Sequence, residues 1–317
     1  MRYVFSLILL FTLSGLQSQV SIWFDKSEAD MRRAQDRVIV PDVYRTVGLN
    51  LPALRARLDL APHETGTPPT QSPVILEVPT PDGTYERFRI VHYDMMEEGL
   101  SSRYPEVKTF RGVHVDNPWR TIRFDWTARG FSAMISGGGA RYFIDPYAKR
   151  NQSDYISYYK SDYSGSGATF ECFVESDPVR PEDRPPQRVS GDCTFRSYRL
   201  AVATTGEYSN FHDAFSAADS DTVLAAVVIA INRVNEVYER DVAIRLILIA
   251  NTDDVFYYVP GTDPYSGTAC NMLSQNQTTL DNVIGSANYD IGHVFTAVGG
   301  GCASLNVPCT GNKARGA

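Results

Sequence analysis

Val242-Ala243-Ile244-Arg245-Leu246-Ile247-Leu248-Ile249-Ala250 is nearly continuous apolar sequence with several β-branched residues. Such a run makes a strand covered on both faces, because neither side alternates with polar residues for water. Just upstream, Leu224, Val227, Val228, Ile231, Val234 and Tyr238 recur with the 3.6-residue period of one helix face, and Ser220 or Asp221 can cap that helix. Tyr198-Arg199-Leu200-Ala201-Val202-Ala203 reads as a second buried strand. A weaker helix runs to Leu280-Val283-Ile284, with Gly285 as its stop. Ile291-Gly292-His293-Val294-Phe295-Thr296 is a third strand, broken by Gly299-Gly300-Gly301. The alternation of strand and helix predicts an α/β layer with helices against a sheet.

The first half has a different rhythm. Val74-Ile75-Leu76-Glu77-Val78 precedes the turn signal Pro81-Asp82-Gly83, and in Tyr85–Tyr93 the residues Phe88, Ile90 and His92 alternate with Arg87 and Arg89. Thr121–Trp126 alternates likewise, and Phe131–Ile135 and Arg141–Ile144 flank Gly137-Gly138-Gly139, a hairpin signature. This half predicts an antiparallel β-meander, with His92 a satisfied buried side chain rather than a ligand. Between Ser164 and Asp192, Ser164-Gly165-Ser166-Gly167 and Pro178, Pro181, Pro185 and Pro186 mark a linker, since proline removes backbone donors and glycine adds chain entropy.

The chain has 317 residues, 43% apolar, which excludes a low-hydrophobicity disordered protein and suggests two domains. Thirty Lys and Arg against 37 Asp and Glu, with no basic block, argue against a nucleic-acid partner. Arg2, the apolar run Val4–Phe11 and the small residues around Ser14–Ser18 read as a secretory signal peptide over residues 1–19. Its apolar core is shorter than the ~20 residues of a spanning helix, and no later segment reaches that length. The expected protein is therefore exported, without a membrane span. Export permits disulfides, and five cysteines (Cys172, Cys193, Cys270, Cys302 and Cys309) leave an odd thiol.

The common catalytic signatures are missing: no Gly-x-Ser-x-Gly elbow, no Walker loop and no strand-following Gly-x-Gly-x-x-Gly. His63-Glu64 is followed by Thr67 where a His-Glu-x-x-His motif needs its second histidine, so His63 reads as a solvated loop residue. His212 and His293 are isolated by spacing.

Three runs carry a resemblance: Leu200-Ala201-Val202-Ala203-Thr204-Thr205-Gly206-Glu207-Tyr208, Ile231-Asn232-Arg233-Val234-Asn235-Glu236-Val237-Tyr238 and Asn288-Tyr289-Asp290-Ile291-Gly292-His293-Val294-Phe295. With Gly301-Cys302-Ala303, Cys309 and Lys313-Ala314-Arg315-Gly316, they make residues 198–317 similar to the first part of the catalytic domain of reprolysin-like (adamalysin) metzincins, most of all the secreted bacterial ones. The upstream half resembles their propeptide. The resemblance implies a β-rich propeptide over residues 20–163, a linker over 164–193, and the N-terminal part of a zincin-like α/β catalytic domain over 194–317. Its implied activity is zinc-dependent hydrolysis of protein or peptide substrates.

The family's zinc motif, His-Glu-x-x-His-x-x-Gly-x-x-His, would lie downstream of Ala317, so the resemblance implies a fragment with no catalytic or metal-binding residue of its own and no tightly bound zinc. The implied substrate-binding strand is Gly301-Cys302-Ala303-Ser304, which would pair its backbone with an extended peptide; an ordinary Gly-rich loop is the alternative. Cys172 stands where latent metzincins place a cysteine switch, with a structural disulfide or an inert thiol as alternatives. The resemblance makes Cys309 the orphan thiol and suggests Cys270 with Cys302 and Cys172 with Cys193, with Cys302–Cys309 as the local competitor. Without the zinc helix, apolar strand surface should lie uncovered. The rival reading is a secreted non-catalytic β-rich inhibitor, adhesion or interaction module.

Overall fold

The computed structural model describes residues 21–31, 36–165, 172–175 and 194–317. The signal-peptide reading, Cys193 and the side chain of Cys172 lie outside the described residues.

The N-terminal part is a nine-stranded antiparallel sheet that curls almost into a barrel. Its strands are β1 (Trp23–Asp25), β2 (Arg45–Leu49), β3 (Ile75–Pro79), β4 (Tyr85–His92), β5 (Lys108–His114), β6 (Thr121–Thr127), β7 (Gly130–Ser136), β8 (Tyr142–Pro146) and β9 (Asp154–Tyr159). Strands β3 to β9 are neighbours in chain order, the expected meander; β2 joins beyond β9, and β1 closes that edge. Helix α1 (Leu51–Leu58) is capped by Asn50, whose side chain accepts from Ala53 N. Across the open seam Arg45 reaches the carbonyls of Thr80 and Thr84 at 3.1 and 2.7 Å, and Arg57 reaches that of Ile75 at 2.6 Å. The interior is filled from the alternating positions, among them Phe88, Ile90, Ile122, Phe124, Phe131 and Tyr155.

Helix α2 (Glu98–Arg103) follows β4, and strand β10 (Cys172–Glu175) lies beyond β9. The α/β layer then comprises β11 (Arg196–Thr204), α3 (Gly206–Phe211), α4 (Ser220–Val242), β12 (Ile244–Leu248), α5 (Ala269–Val283), β13 (Ile291–Phe295) and β14 (Gly301–Ser304). Parallel β11 sits between β12 and β13. Helix α4 begins at Ser220 with Asp219 at the cap position, so the expected cap at Ser220 or Asp221 is shifted into the helix, while the Gly285 stop (φ 85°) follows the sequence reading. The strand expected from Val242 begins two residues later, because the helix continues to Val242 and Ala243 ends it in the left-handed conformation (φ 55°).

The apolar face of α4 (Leu224, Val227, Val228 and Ile231) packs on β11 and β12. Each such side chain contributes roughly 1.5–3 kcal/mol relative to exposure. Helix α5 covers the other face through Met272 and Leu280. The expectation of uncovered apolar strand surface is thereby corrected: Leu200, Ala201, Val202 and Ala203 are at most 2% exposed. The physical reason is partly the β-domain, whose Tyr93, Met95, Met96, Leu100 and Val107 enter the same core as α4 and β12. Residues 95–97 also extend the sheet, Leu248 N donating to Met95 O and Glu97 N to Leu248 O.

Candidate functional site

Strand β14, the implied substrate strand, is built into the sheet on one side and covered on the other. Cys302 N donates to Ala317 O and Ala317 N to Cys302 O, both at 2.9 Å, while Ser304 N reaches Arg315 O at 3.0 Å. The 313–317 segment in turn accepts from β13, Gly292 N to Lys313 O and Val294 N to Gly316 O. Glycine is required where these chains cross: a Cβ on Gly316 would lie 2.5 Å from His293 Nδ1, and one on Gly292 2.9 Å from the Ala314 backbone. The layer therefore runs 95–97, β12, β11, β13, 313–317, β14, β10.

The outer neighbour of β14 is β10, in parallel, with Cys172 opposite Gly301, Phe173 opposite Cys302, Val174 opposite Ala303 and Glu175 opposite Ser304. Phe173 and Val174 are 52% and 56% exposed, so this strand is held mainly by its backbone rather than by apolar burial. Behind β14, Cys302 is joined to Cys270 at the start of α5. Cys309 is an exposed free thiol. Of the residues singled out in the sequence, Gly301, Cys302, Ala303, Ser304 and Cys172 thus share one strand pair. Nothing in the spacing announced that pairing, since a parallel bridge across more than 120 residues leaves no local pattern.

The polar face of α4 is buried by the β-domain. Asn235 clamps β12, accepting from Leu246 N at 2.8 Å and donating to Leu246 O at 2.9 Å. Asn232 donates to Asp125 Oδ2 and accepts from the Tyr93 hydroxyl. Glu236 accepts from Thr121 and Ser136, both at 2.5 Å, and Arg233 pairs with Asp145. Glu239 meets Arg123 at 2.8 Å, Arg111 at 2.9 Å and Arg245 at 2.5 Å, and Arg245 also holds Glu64. Burial alone would raise the Glu239 carboxyl, but the Arg245 and Arg123 contacts bring it down to about 2. Burial pushes Asp125 up to about 7, the Asn232 hydrogen bond opposing only part of that cost.

Neither histidine of the α/β layer is placed as a metal ligand. His293 is held near pKa 4 by burial, with Phe295 against its ring at 5.5 Å. His212, lowered to about 3 by burial and then by Arg129 and Lys149, lies with its Nδ1 3.0 Å from Arg129 Nη1. The one group of His, Cys, Asp and Glu with ligand spacing among the described residues is His63, His92 and Asp94, in the β-domain. The histidines of residues 194–317 thus do not fit a catalytic three-imidazole zinc cage.

A β-rich domain followed by an α/β layer of this topology has the architecture of a propeptide joined to a zincin-like catalytic domain. Residues 194–315 match Metallo-peptidase family M12B, Reprolysin-like, and a domain of that family is therefore present in this chain. Among the curated proteins none matches the chain. No helix of the described residues is long and apolar enough to cross a membrane.

Proposed function

We propose that the β-domain is the latency-conferring propeptide of an exported, zinc-dependent endopeptidase of the reprolysin-like type, and that residues 194–317 are its substrate-strand side. The observation that carries this reading is β10 lying along β14. An extended peptide adding to that edge would take the same backbone donors and acceptors. The α/β layer is flanked at both ends, by 95–97 of the β-domain beside β12 and by β10, a strand within the stretch expected as linker, beside β14. A latency device needs a fixed anchor and a releasable cover, and these two contacts supply them. The first carries buried apolar side chains; the second is largely exposed. The zinc-bound water that the family uses for peptide hydrolysis needs a ligand set that these residues do not supply, so no hydrolytic step is assigned to them. Cys172 stands on the covering strand, opposite Gly301, where a switch thiol is proposed to act.

Strand displacement tests this. Cys302 and Ser304 turn their backbone groups toward 313–317, so Gly301 and Ala303 face β10 and, in this register, meet the backbone of Phe173. The Phe173→Pro variant of the full chain removes that donor and should bind a fluorescent extended peptide, whereas the parent chain should not. Equal binding by both, or by neither, defeats the cover reading. Chelator-sensitive proteolysis by the 317-residue chain itself would overturn the assignment of the zinc chemistry to other residues.

A further inference from the structure

We propose that His63, His92 and Asp94 form a binding site for a zinc-class divalent cation on the β-domain, separate from the peptidase-like layer. The placement follows from the backbone. His63 and His92 are partners in a parallel bridge, Glu64 N donating to His92 O and His92 N to Pro62 O, both at 2.9 Å. Bridge partners present their side chains on one face, and residues two apart in an extended chain do the same, so Asp94 joins them.

One ligand atom from each residue lies within 4.8 Å of the others, and His63 Nε2 is 2.9 Å from Asp94 Oδ2. Ligands at 2.0–2.2 Å around a tetrahedral ion stand roughly 3.3 Å apart, so small side-chain rotations suffice. His63 Nδ1 lies 2.9 Å from Thr65 Oγ1 and 3.3 Å from Thr65 N. Thr65 N donates to His63 Nδ1, so Nδ1 accepts and the imidazole proton stands on Nε2, donated to Asp94 Oδ2 at 2.9 Å. That proton occupies the place the cation takes.

His92 has no hydrogen bond from either ring nitrogen to the described side chains or backbone, and its ring is fixed edge-on against Phe110 at 5.5 Å. An imidazole held against Phe110, with ring nitrogens that none of the described side chains or backbone groups engage, is open to a Lewis acid. Two imidazoles and one carboxylate select Zn²⁺, Co²⁺ or Ni²⁺ over Ca²⁺ and Mg²⁺, which prefer all-oxygen shells. The two histidines border a cavity of about 470 Å³, also lined by Asp59, Glu106 and Lys108, which leaves room for water at the remaining coordination positions.

The test uses the full chain in a Cys309→Ser background, so that the exposed thiol cannot ligate, stripped with chelator and titrated with Co²⁺. The expected result is a visible d–d absorption saturating at one equivalent and abolished by Zn²⁺. His92→Gln and Asp94→Asn should each weaken apparent affinity roughly tenfold or more. Melting in chelator, unchanged for the Asp94→Asn variant, separates loss of a ligand from loss of the fold. No saturable band, a band retained in His63→Asn/His92→Gln, or a thiolate charge-transfer feature each overturns the site. The Phe173→Pro variant should keep the signal, so the site stands or falls independently of the latency reading.

Discussion

Replacing Glu239 by Gln removes the negative charge on which three arginines converge between α4, β12 and the β-domain. Arg123, Arg245 and Arg111 meet it at 2.8, 2.5 and 2.9 Å, and the Glu239 side chain is only 8% exposed. Its carboxyl falls from the ordinary 4.5 to about 2. At 1.36 kcal/mol per tenfold change in proton affinity, that drop is worth roughly 3 kcal/mol of stability. Because the folded carboxyl is depressed, the contribution is present above pH 4.5 and is lost as pH falls toward 2. Breaking one partner of a buried ion pair costs about 3–5 kcal/mol by general experience, and the linkage figure sits at the lower end of that range. The assay is urea unfolding of parent and Glu239→Gln from pH 7 to pH 2. At pH 7 the variant should be destabilised by roughly 3 kcal/mol, and the gap should narrow between pH 4.5 and 2 as the parent loses its advantage. The comparison isolates Glu239, since other depressed carboxylates such as Asp290 titrate alike in both proteins. A difference below about 1 kcal/mol at pH 7, or one that does not change with pH, refutes the idea that this cluster fastens the two domains.

Asp125 runs in the opposite sense. Its folded carboxyl is raised to about 7, so its contribution is fully present below pH 3.8 and is lost as pH rises toward 7, by up to roughly 4 kcal/mol. Asp125→Asn should therefore flatten the stability profile between pH 4 and 7, read from urea midpoints; an unchanged slope counts against this. The Cys270–Cys302 bridge closes a separation of 32 residues, so replacing both cysteines by Ser should cost roughly 3–4 kcal/mol. Hydrogen exchange at β14 should accelerate in the same variant, and equal protection would show that the bridge does not hold the strand. In the parent chain the amides of β10 should exchange much faster than those of β11, because only the latter lies in a packed core.

Much of the fold was legible before any coordinates. The period-two runs from Val74 to Ile144 specify half-buried strands, and turn residues at short intervals leave a meander as the simplest pairing. In the second half the 3.6-period stripe of α4 and the unbroken apolar runs beside it specify a layer, whichever partners finally cover it. Local backbone chemistry settles such features, because side-chain period and turn residues act within a few positions. Boundaries were less secure: Val242 suits a helix end as well as a strand start, and the left-handed turn at Ala243 arbitrates.

What tertiary structure alone decided is how the polar residues are used. Asn232, Arg233, Glu236 and Glu239 lie off the apolar stripe of α4; Arg245 of β12 aside, the partners described above come from the β-domain, more than 80 residues away in the chain. His63 read as a solvated loop residue and His92 as a buried strand residue, and a parallel bridge spanning 29 positions sets them side by side with Asp94. The pairing of β10 with β14 is likewise a contact between distant segments. Periodicity records which face of an element is apolar; it carries no information about which distant backbone or charge will meet the other face, because that depends on chain closure over the whole molecule. The sequence by itself thus determined two layers of opposite rhythm, and the folded chain decided that the β-domain covers one edge of the α/β sheet and β10, from the stretch after it, the other.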